Sequence, residues 1–416
     1  MSIFLYRLLW LCLSPLLAAA FAWRLYKGKE HPTRWRERLG HASLPRPTGK
    51  LVWLHGASVG ETLSLLPLIA ELRHQQPQLN ILLTSGTRTS ADLAAKRLPA
   101  GVLHQFVPLD FWPCVKLFMR HWHPTVSVFA ESEFWPELLT QAPQPVLVNG
   151  RISDRSYPRY QRHAWLYRPV LARFSTCLAQ REEDATRLKS LGAHNVIVGG
   201  NLKFDAPALT ADDKELKALQ KRIGTRPVLL AASTHAGEEV MVQNLHQKLT
   251  KTTPHLLTIM VPRHPARGAE LAAQFGWPAR SKNETIQKDT AIYLADTLGE
   301  MGLWYRVATV TLIGGSLVPH GGHNPLEPLR LNGVTICGPH MFNFADMLAI
   351  LPPTILPVAK GLDDLPKLLH TYLNNPKKRD AMRTHIATFM PTLTGATTQA
   401  AKVVLANVLN SIKEHH

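Results

Sequence analysis

The sequence predicts an α/β protein with two doubly wound domains, each a mostly parallel sheet covered by helices. From residue 50 onward, short apolar runs typical of buried parallel strands alternate with segments of helical periodicity. The alternation pauses in a charged, proline-flanked stretch near 205–225 and then resumes, which divides it into two series. The most unusual polar residues follow the apolar runs, and ligands of such sheets bind beyond the carboxyl ends of strands.

Composition and charge narrow the class of protein. A length of 416 residues fits two or three domains, and 45% hydrophobic residues fit sizeable cores. The four cysteines have no framework spacing, so neither disulfides nor a zinc ribbon is indicated, and a reducing, cytoplasmic setting is expected. The formal net charge of +17 indicates anionic partners, namely nucleic acid, an acidic membrane surface or a phosphorylated substrate.

The first 23 residues predict a membrane anchor. They are apolar except for Arg7, which is expected to snorkel, and the uncharged run 8–23 is slightly short of the ~20 residues that span hydrocarbon. The basic segment 24–38 would keep its side cytoplasmic and attract anionic headgroups. A cleaved secretory peptide is the alternative because "LLAAAFA" resembles a cleavage site. The positive charge that follows would hinder export, so an uncleaved anchor is favoured.

The first series supplies three candidate positions at strand ends. Glu61 falls in the first turn of a helix, where the positive end of the macrodipole should keep it ionised, although it is also a common stabilising charge there. Glu131 and Glu133 share one face at the end of a strand, and Lys203 follows a strand and a glycine pair. Solvated carboxylates and a surface lysine are the alternatives. The predicted strands are "LVWLH", "NILLTSGT", "VSVFAES", "PVLVNGR", "TCLAQ" and "NVIVGGN".

The second series repeats the pattern. Arg263 and His264 lie between two prolines at a strand end, and the planar guanidinium of an arginine suits phosphate or carboxylate. Glu300 lies near a helix start, and Ser233, Thr234 or His235 is placed to cap another helix. The predicted strands are "VLLAAST", "HLLTIMVPRH", "TAIYLAD", "VATVTLIGGS" and "GVTICGP".

The stretch "SLVPHGGHNPLEPLRLNGV", residues 316–334, predicts a cradle for a phosphorylated ligand. Asn324 and Pro325 are typical of the N-cap and first residue of a helix, whose free N–H groups bind anions, and Glu327 is placed to accept hydrogen bonds from sugar hydroxyls. A metal site at His320 and His323 lacks a nearby third ligand, so the sequence favours phosphate plus ribose. GxxxxGK[ST] and GxGxxG motifs are missing, which disfavours kinases, ATPases and Rossmann dehydrogenases.

Taken in order, the motifs resemble those of 3-deoxy-D-manno-octulosonic acid (Kdo) transferases of bacterial lipopolysaccharide synthesis. The resemblance implies a GT-B fold, with two Rossmann-like domains facing a cleft after an N-terminal membrane anchor helix, and it implies neither metal nor cofactor. It further implies inverting transfer from the substrate CMP-Kdo to the lipid A precursor (lipid IVA), at the cytoplasmic face of the inner membrane, beside an anionic membrane surface and without nucleic acid. The motifs are "HGASVGE", "ESEFWP", "NGRISDRS", "GNLKFD", "STHAGEE", "VPRHP", "DTLGEM" and "GGSLVPHGGHNPLEP".

The same resemblance assigns roles to residues. Glu61 matches the family's general base, and Glu131 and Lys203 match positions that stabilise the transition state. The choice between Glu131 and Glu133 stays open. The positions that match the CMP-donor site are Arg263, His264, Gly299, Glu300, Met301, Ser316, Gly321, Gly322, Asn324, Pro325, Leu326 and Glu327.

The sequence also predicts where the domains begin and end, and it leaves alternative functions to compare. Another GT-B sugar-nucleotide transferase or a non-hydrolysing epimerase would share the two series, whereas a nucleic-acid binder or a membrane scaffold would leave the Glu, Lys and Arg positions unexplained. The expected plan is an anchor at 1–23, a basic juxtamembrane segment at 24–50, an acceptor-binding domain at 51–212, a CMP-Kdo-binding domain at 213–395, and a C-terminal helix at 396–416 that crosses back to the first domain.

Overall fold

A computed structural model describes residues 2–413 and divides them into two compact units. The first unit comprises the chain up to Ala206 together with the chain from Leu393 onward, and the second comprises Pro207–Thr392. Each unit contains one sheet in which all the described strand pairs are parallel. The predicted parallel α/β organisation is therefore present in both.

The first sheet has the strand order β3-β2-β1-β4-β5-β6-β7. Its strands are β1 Leu51–His55, β2 Asn80–Ser85, β3 Leu103–Phe106, β4 Val126–Ala130, β5 Pro145–Gly150, β6 Thr176–Ala179 and β7 Val196–Val198. Its helices before the second unit are α1 Ser2–Cys12, α2 Ser14–Tyr26, α3 Val59–Gln75, α4 Arg88–Arg97, α5 Trp112–Trp122, α6 Pro136–Gln141, α7 Tyr157–Arg162, α8 Ala164–Leu171 and α9 Glu182–Ser190.

The second sheet has the order β10-β9-β8-β11-β12. Its strands are β8 Val228–Thr234, β9 Leu257–Pro262, β10 Ile292–Leu294, β11 Val310–Ile313 and β12 Thr335–Cys337. The helices that follow are α10 Asp213–Ile223, α11 Glu238–Leu249, α12 Gly268–Phe275, α13 Met301–Val307, α14 Leu326–Leu329, α15 Ala345–Leu348, α16 Leu365–Asn374 and α17 Pro376–Phe389, and the last helix, α18 Ala396–Lys413, belongs to the first unit.

Burial on both faces explains why the strands have continuous apolar sequences. In β1 every residue is buried, and successive side chains enter opposite cores of the first unit: Trp53 joins one core and Leu54 the other. Helix α18 covers the second of these cores with Ala400, Ala401 and Val404. Fully burying a large apolar side chain contributes about 1.5–3 kcal/mol, so these two layers hold the sheet in place.

The order of strands reverses direction once in each sheet, and these reversals position the candidate site residues. In the first sheet the chain runs outward through β1, β2 and β3 and then returns to place β4 beside β1. In the second sheet β11 lies beside β8 in the same way. Such switch points open a crevice at the carboxyl ends of the two central strands.

The N-terminal segment differs from the expected single anchor helix. Among residues 2–413 no single helix is long and apolar enough to cross a bilayer; α1 and α2 meet that criterion only as a pair, bent by 64° at their junction. Pro15 lies in the first turn of α2, where its missing N–H costs nothing, so a new helix starts there. An N-terminal membrane anchor helix is therefore not confirmed.

Arg7 forms an ion pair within the first unit, and the expectation that it snorkels stays a prediction. Its guanidinium donates two hydrogen bonds, at 2.9 and 2.8 Å, to the carboxylate of Glu137, which is completely buried. Tyr6, one residue earlier, donates to Asp110 at 2.7 Å. A buried carboxylate requires a paired cation, and that requirement fixes α1 on the first unit.

Candidate active site

Glu61 lies at the switch point of the first sheet, in the first turn of α3 just after β1. Ser58 is the N-cap of this helix and accepts a hydrogen bond from the Glu61 N–H at 3.2 Å. The Glu61 carboxylate turns back towards the cap, where it accepts hydrogen bonds from the Ala57 N–H at 2.7 Å and the Ser58 hydroxyl at 2.8 Å. The side chain is half-buried and held in one orientation by the helix N-terminus.

The electrostatic setting of Glu61 suits a proton acceptor. Burial raises the pKa of its carboxyl above the ordinary value, and the negative charges of Glu133 and Glu131 raise it further. The hydrogen bonds from Ser58 and Ala57 oppose this rise without cancelling it. A carboxylate with a raised pKa is a stronger base, so this environment favours general-base chemistry.

Glu131 follows the neighbouring strand β4 and forms an ion pair with Lys203. The Lys203 ammonium donates to the Glu131 carboxylate at 2.9 Å, from a short 3-10 helix at Leu202–Asp205. Glu131 has a φ of 53°, a left-handed conformation that costs about 1–3 kcal/mol for a residue with a side chain. Backbone strain of this kind persists where the surrounding structure requires it, and functional sites are common among such places.

Asn149 is a site residue that the sequence interpretation missed. Its buried side chain donates weakly to Glu131 at 3.4 Å and accepts from the Leu202 N–H at 3.2 Å, so it joins Glu131 to the turn that carries Lys203. Asn149 also has a positive φ, of 56°. The only sequence signal was its position at the end of β5, in the "NGR" motif.

Glu133 has a different set of partners from Glu131. Its carboxylate contacts the His55 Nε2 at 3.2 Å and accepts a short hydrogen bond from the Trp135 indole N–H. Burial alone would raise the pKa of Glu133, but the His55 and Trp135 hydrogen bonds hold it below the ordinary value. Glu133 is thus engaged by a fully buried histidine and an indole, whereas Glu131 is engaged by a cation, so the two carboxylates have different environments.

In the second unit, Glu238 holds the two loops at the switch point together. This carboxylate is fully buried at the start of α11 and accepts from three backbone N–H groups, those of His235 at 2.8 Å, Gly315 at 2.7 Å and Leu317 at 2.8 Å. His235 follows β8, and the two other amides belong to the loop after β11. In the sequence, this position appeared only as one of the two acidic residues of "STHAGEE".

The predicted donor-site residues are distributed over the carboxyl edge of the second sheet. Arg263 and His264 are exposed after β9, and the His264 ring lies 6.0 Å from that of His235. Glu327 is half-buried, and Tyr305 donates to it at 3.3 Å. Burial raises the pKa of Glu327, against the hydrogen bond from Tyr305 and the charges of Arg330 and Arg263. The charge of Arg263 therefore reaches both the histidines and Glu327.

The helix expected to begin at Pro325 is shorter and starts one residue later. Helix α14 begins at Leu326, whose N–H donates to the Asn324 side chain at 3.1 Å, and it ends at Leu329. The Asn324 side chain therefore caps the turn as predicted, but Pro325 is the residue preceding the helix. Because α14 has only four residues, its macrodipole adds little to anion binding.

Gly299, Glu300 and Met301 follow β10, two strands away from β8. The Glu300 carboxylate accepts from the Arg280 guanidinium at 2.7 and 3.2 Å and from the Thr297 hydroxyl. Burial alone would raise the pKa of Glu300, and these hydrogen bonds lower it overall. The Glu300 carboxylate is thus bound to Arg280. A ligand would contact the backbone of this turn and the exposed Gly299.

Ser316, Gly321 and Gly322 shape the loop after β11. The Ser316 hydroxyl is fully buried, donates to the Ile313 carbonyl and accepts from the Gly338 N–H at 2.8 Å, so its side chain joins two loops. Gly321 and Gly322 have φ values of 102° and 80°, and a Cβ on either would lie about 2.2 Å or less from Asn343 or Met341. The positive φ values favour glycine at both positions, and contact of these three residues with a donor stays a prediction.

Three histidines converge beside this loop, and the sequence interpretation missed their convergence. His235 Nε2 lies 2.7 Å from His323 Nε2, and the His320 ring lies 3.7 Å from the ring of His235. Burial lowers the pKa of His323 to about 4, with help from His235 and Arg263. The third residue was overlooked because it follows β8, far from the HxxH pair in sequence, and only the pairing of β8 with β11 brings it close.

Comparisons with known proteins agree with these features. A family model described as "3-Deoxy-D-manno-octulosonic-acid transferase (kdotransferase)" matches residues 33–206. The 3-deoxy-D-manno-octulosonic acid transferase of Haemophilus influenzae is 32% identical over 401 residues, which cover 91% of this chain and 92% of that protein.

Solved structures share the fold at low sequence identity. A glycosyltransferase from Rickettsia africae matches with a TM-score of 0.56 at 10% identity, over 87% of this chain and 99% of that one. A UDP-GlcNAc 2-epimerase from Neisseria meningitidis matches with a TM-score of 0.54 at 11% identity, over 87% of this chain and 100% of that one. These likenesses confirm an α/β, GT-B-like fold with parallel sheets and, at such identities, bear on the fold alone.

Proposed function

We propose that this chain moves Kdo from CMP-Kdo to a lipid A precursor (lipid IVA). The premise is that the chain belongs to the 3-deoxy-D-manno-octulosonic acid (Kdo) transferase family and is a glycosyltransferase of lipopolysaccharide synthesis. The transfer is inverting and requires no metal or other cofactor. The observation that carries the proposal is the placement of Glu61, a base with a raised pKa, beside the Glu131–Lys203 ion pair at the switch point of the first unit.

Glu61 acts as the general base. An acceptor hydroxyl that donates to its carboxylate loses its proton as the hydroxyl oxygen attacks the ketosidic carbon of Kdo. Ser58 and Ala57 each occupy one lone pair of the carboxylate, so both oxygens keep a second lone pair for this proton. Positioned acid–base catalysis of this kind contributes about 10²–10⁴-fold in rate.

The Glu131–Lys203 ion pair supports the charges that develop during transfer. Attack on the ketosidic carbon gives it oxocarbenium character, which a carboxylate stabilises, while the departing phosphate gains negative charge, which an ammonium stabilises. The pair is only part-buried, and its partners are fixed by Asn149 and by the turn at Leu202–Asp205. These groups are therefore oriented before the donor arrives.

The second unit binds the CMP donor. Arg263 and His264 are exposed and offer donors to the phosphate, with the arginine fork suited to two of its oxygens. Glu327 accepts hydrogen bonds from the ribose hydroxyls, and the turn formed by Gly299, Glu300 and Met301 offers backbone groups to the base. The positive charge of Arg263 also acts against the raised pKa of Glu327, so we expect the phosphate and ribose groups to bind at the same edge of the sheet.

A cavity of about 430 Å³ in the first unit supports an amphiphilic acceptor. One side is formed by Leu17, Ala20 and Phe21 of α2, which are apolar, and the same cavity is lined by Arg24 and Arg38. Glu30 contacts both of these cations, and a second carboxylate of the lining, Asp110, is bonded to Tyr6. The apolar wall would hold an acyl chain, and the two guanidinium groups would offer hydrogen-bond donors to a phosphate group of the acceptor.

The same cavity leads towards the carboxylates. His55 and Trp135, which bind Glu133, and Ala57, which donates to Glu61, also line it. An acceptor held there would have its hydroxyl close to the base. Exposed apolar side chains on α1 and α2, among them Phe4, Leu9, Leu16 and Trp23, support attachment to the cytoplasmic face of the inner membrane, whose anionic surface the net charge of +17 would favour.

The test is incubation of the full chain in detergent with CMP-Kdo and lipid IVA, with the products weighed by mass spectrometry. We expect the acceptor to gain Kdo residues, release of CMP to require the acceptor, and the reaction to continue in excess EDTA. Epimerisation of UDP-GlcNAc without any acceptor would instead support the epimerase alternative. Absence of Kdo transfer from a folded protein that binds CMP would contradict the proposal.

A further inference from the structure

The three histidines of the second unit are arranged as metal ligands. His235, His320 and His323 each offer one ring nitrogen, and the three nitrogens all lie within 4.8 Å of one another. His235 follows β8 and the other two follow β11, so the pairing of these strands sets their separation. The amides of His235 and Gly315 are both tied to the buried Glu238 carboxylate, which keeps the two loops in register.

The ligand nitrogens reach tetrahedral separations once the rings turn, because the His235 and His323 rings lie in nearly parallel planes, 9° apart, and the His320 ring lies 3.7 Å from that of His235. Zinc–imidazole bonds of about 2.0–2.1 Å place ligand nitrogens about 3.3 Å apart, compared with the 2.7 Å between His235 Nε2 and His323 Nε2. At 2.7 Å the two nitrogens share one proton, and an ion would replace that proton between them. His320 is exposed, so its ring is free to turn towards the ion, and a fourth position stays open to solvent.

The ligand set selects the metal. Three imidazole nitrogens suit Zn²⁺, and hard ions such as Mg²⁺ prefer oxygen ligands. Arg263 follows β9 at the same edge of the sheet, and its positive charge disfavours ions that are held mainly by charge.

We propose that His235, His320 and His323 form a three-histidine site for Zn²⁺. Binding needs no substrate, and the transfer reaction proposed above needs no metal, because we expect it to proceed in excess EDTA. The site is therefore tested by metal binding alone, so failure of one proposal leaves the other standing.

The test is a titration of the chelator-treated, tag-free full chain with Co²⁺, whose visible absorption reports tetrahedral coordination. We expect one Co²⁺ per chain, displacement by Zn²⁺ and no displacement by Mg²⁺. His320→Gln removes an exposed ligand with little risk to folding and should weaken Co²⁺ binding at least ~10-fold. His235→Gln should do the same.

His385→Gln is the matched control, since it makes the same change at an exposed position on α17 of the same unit. It should leave Co²⁺ affinity unchanged, which also shows that His385 does not produce the signal. The proposal is overturned if no tetrahedral Co²⁺ spectrum appears, or if His320→Gln and His235→Gln bind Co²⁺ as tightly as the unchanged protein.

Discussion

Removing the guanidinium of Arg7 should release α1 from the first unit. Arg7→Gln leaves the Glu137 carboxylate buried with one remaining side-chain donor, Gln141, at 2.7 Å. Removing one partner of a buried ion pair costs about 3–5 kcal/mol. The Arg7 side chain is 37% exposed, so water can partly replace it, and a loss of about 2 kcal/mol follows.

The assay is amide hydrogen exchange of residues 3–12 in detergent and in anionic nanodiscs. A loss of about 2 kcal/mol raises the opening constant of α1 roughly 30-fold. Adding Glu137→Gln should restore much of the protection, because it removes the unpaired buried charge. Lys27→Gln is the control, since it removes one charge from an exposed position of the same segment.

Unchanged exchange of α1 in Arg7→Gln, in detergent as well as in nanodiscs, would refute the reasoning. It would mean that the Arg7–Glu137 pair does not hold the helix on the first unit. Faster exchange in detergent but unchanged exchange in nanodiscs would also contradict the predicted loss of about 2 kcal/mol. Lipid, and not the Arg7–Glu137 ion pair, would then stabilise α1.

Three further predictions concern the two units. Lys203→Met should lower the rate of Kdo transfer by about 10²–10³-fold, because one oriented charge is lost from the transition state. Glu327→Ala should weaken calorimetric CMP binding roughly 10–150-fold, the effect of hydrogen bonds to a charged group worth about 1.5–3 kcal/mol. The rate of Kdo transfer should fall as the pH drops through the raised pKa of Glu61, because the protonated carboxyl cannot act as a base. Glu133→Gln should move this fall in rate to lower pH, because it removes a negative charge that raises the pKa of Glu61.

Each of these predictions has a control at an exposed position of the same unit. Each role would be contradicted by one result. These results are near-normal transfer by Lys203→Met, unchanged CMP affinity in Glu327→Ala, and a fall in rate at the unchanged pH in Glu133→Gln. The controls, which should behave as the unchanged protein, are Lys96→Met, Glu270→Ala and Glu182→Gln.

The strands were readable from the sequence because burial on both faces leaves a continuous apolar run. "LVWLH" and "VLLAAST" coincide with β1 and β8, and the polar residues after them do lie at the carboxyl edges of the sheets. Local signals of this kind depend on neighbours in the chain, which the sequence displays directly.

Contacts between distant segments were not readable. Nothing near Arg7 in the sequence indicates that Glu137 will be its partner, so the packing of α1 on the first unit could not be predicted. Likewise His235 joins His320 and His323 only because β8 and β11 are neighbours in the sheet. The raised pKa of Glu61 also depends on Glu133 and Glu131, which a neighbouring strand supplies.

The most direct test of the account is single-turnover Kdo transfer by Glu61→Gln, measured with CMP binding on the same preparation. Glutamine keeps the size of the side chain and removes its basicity, so we expect transfer to fall by about 10²–10⁴-fold while CMP affinity stays within about twofold. Transfer at the unchanged rate by a variant that binds CMP normally would contradict the assignment of Glu61 as the base.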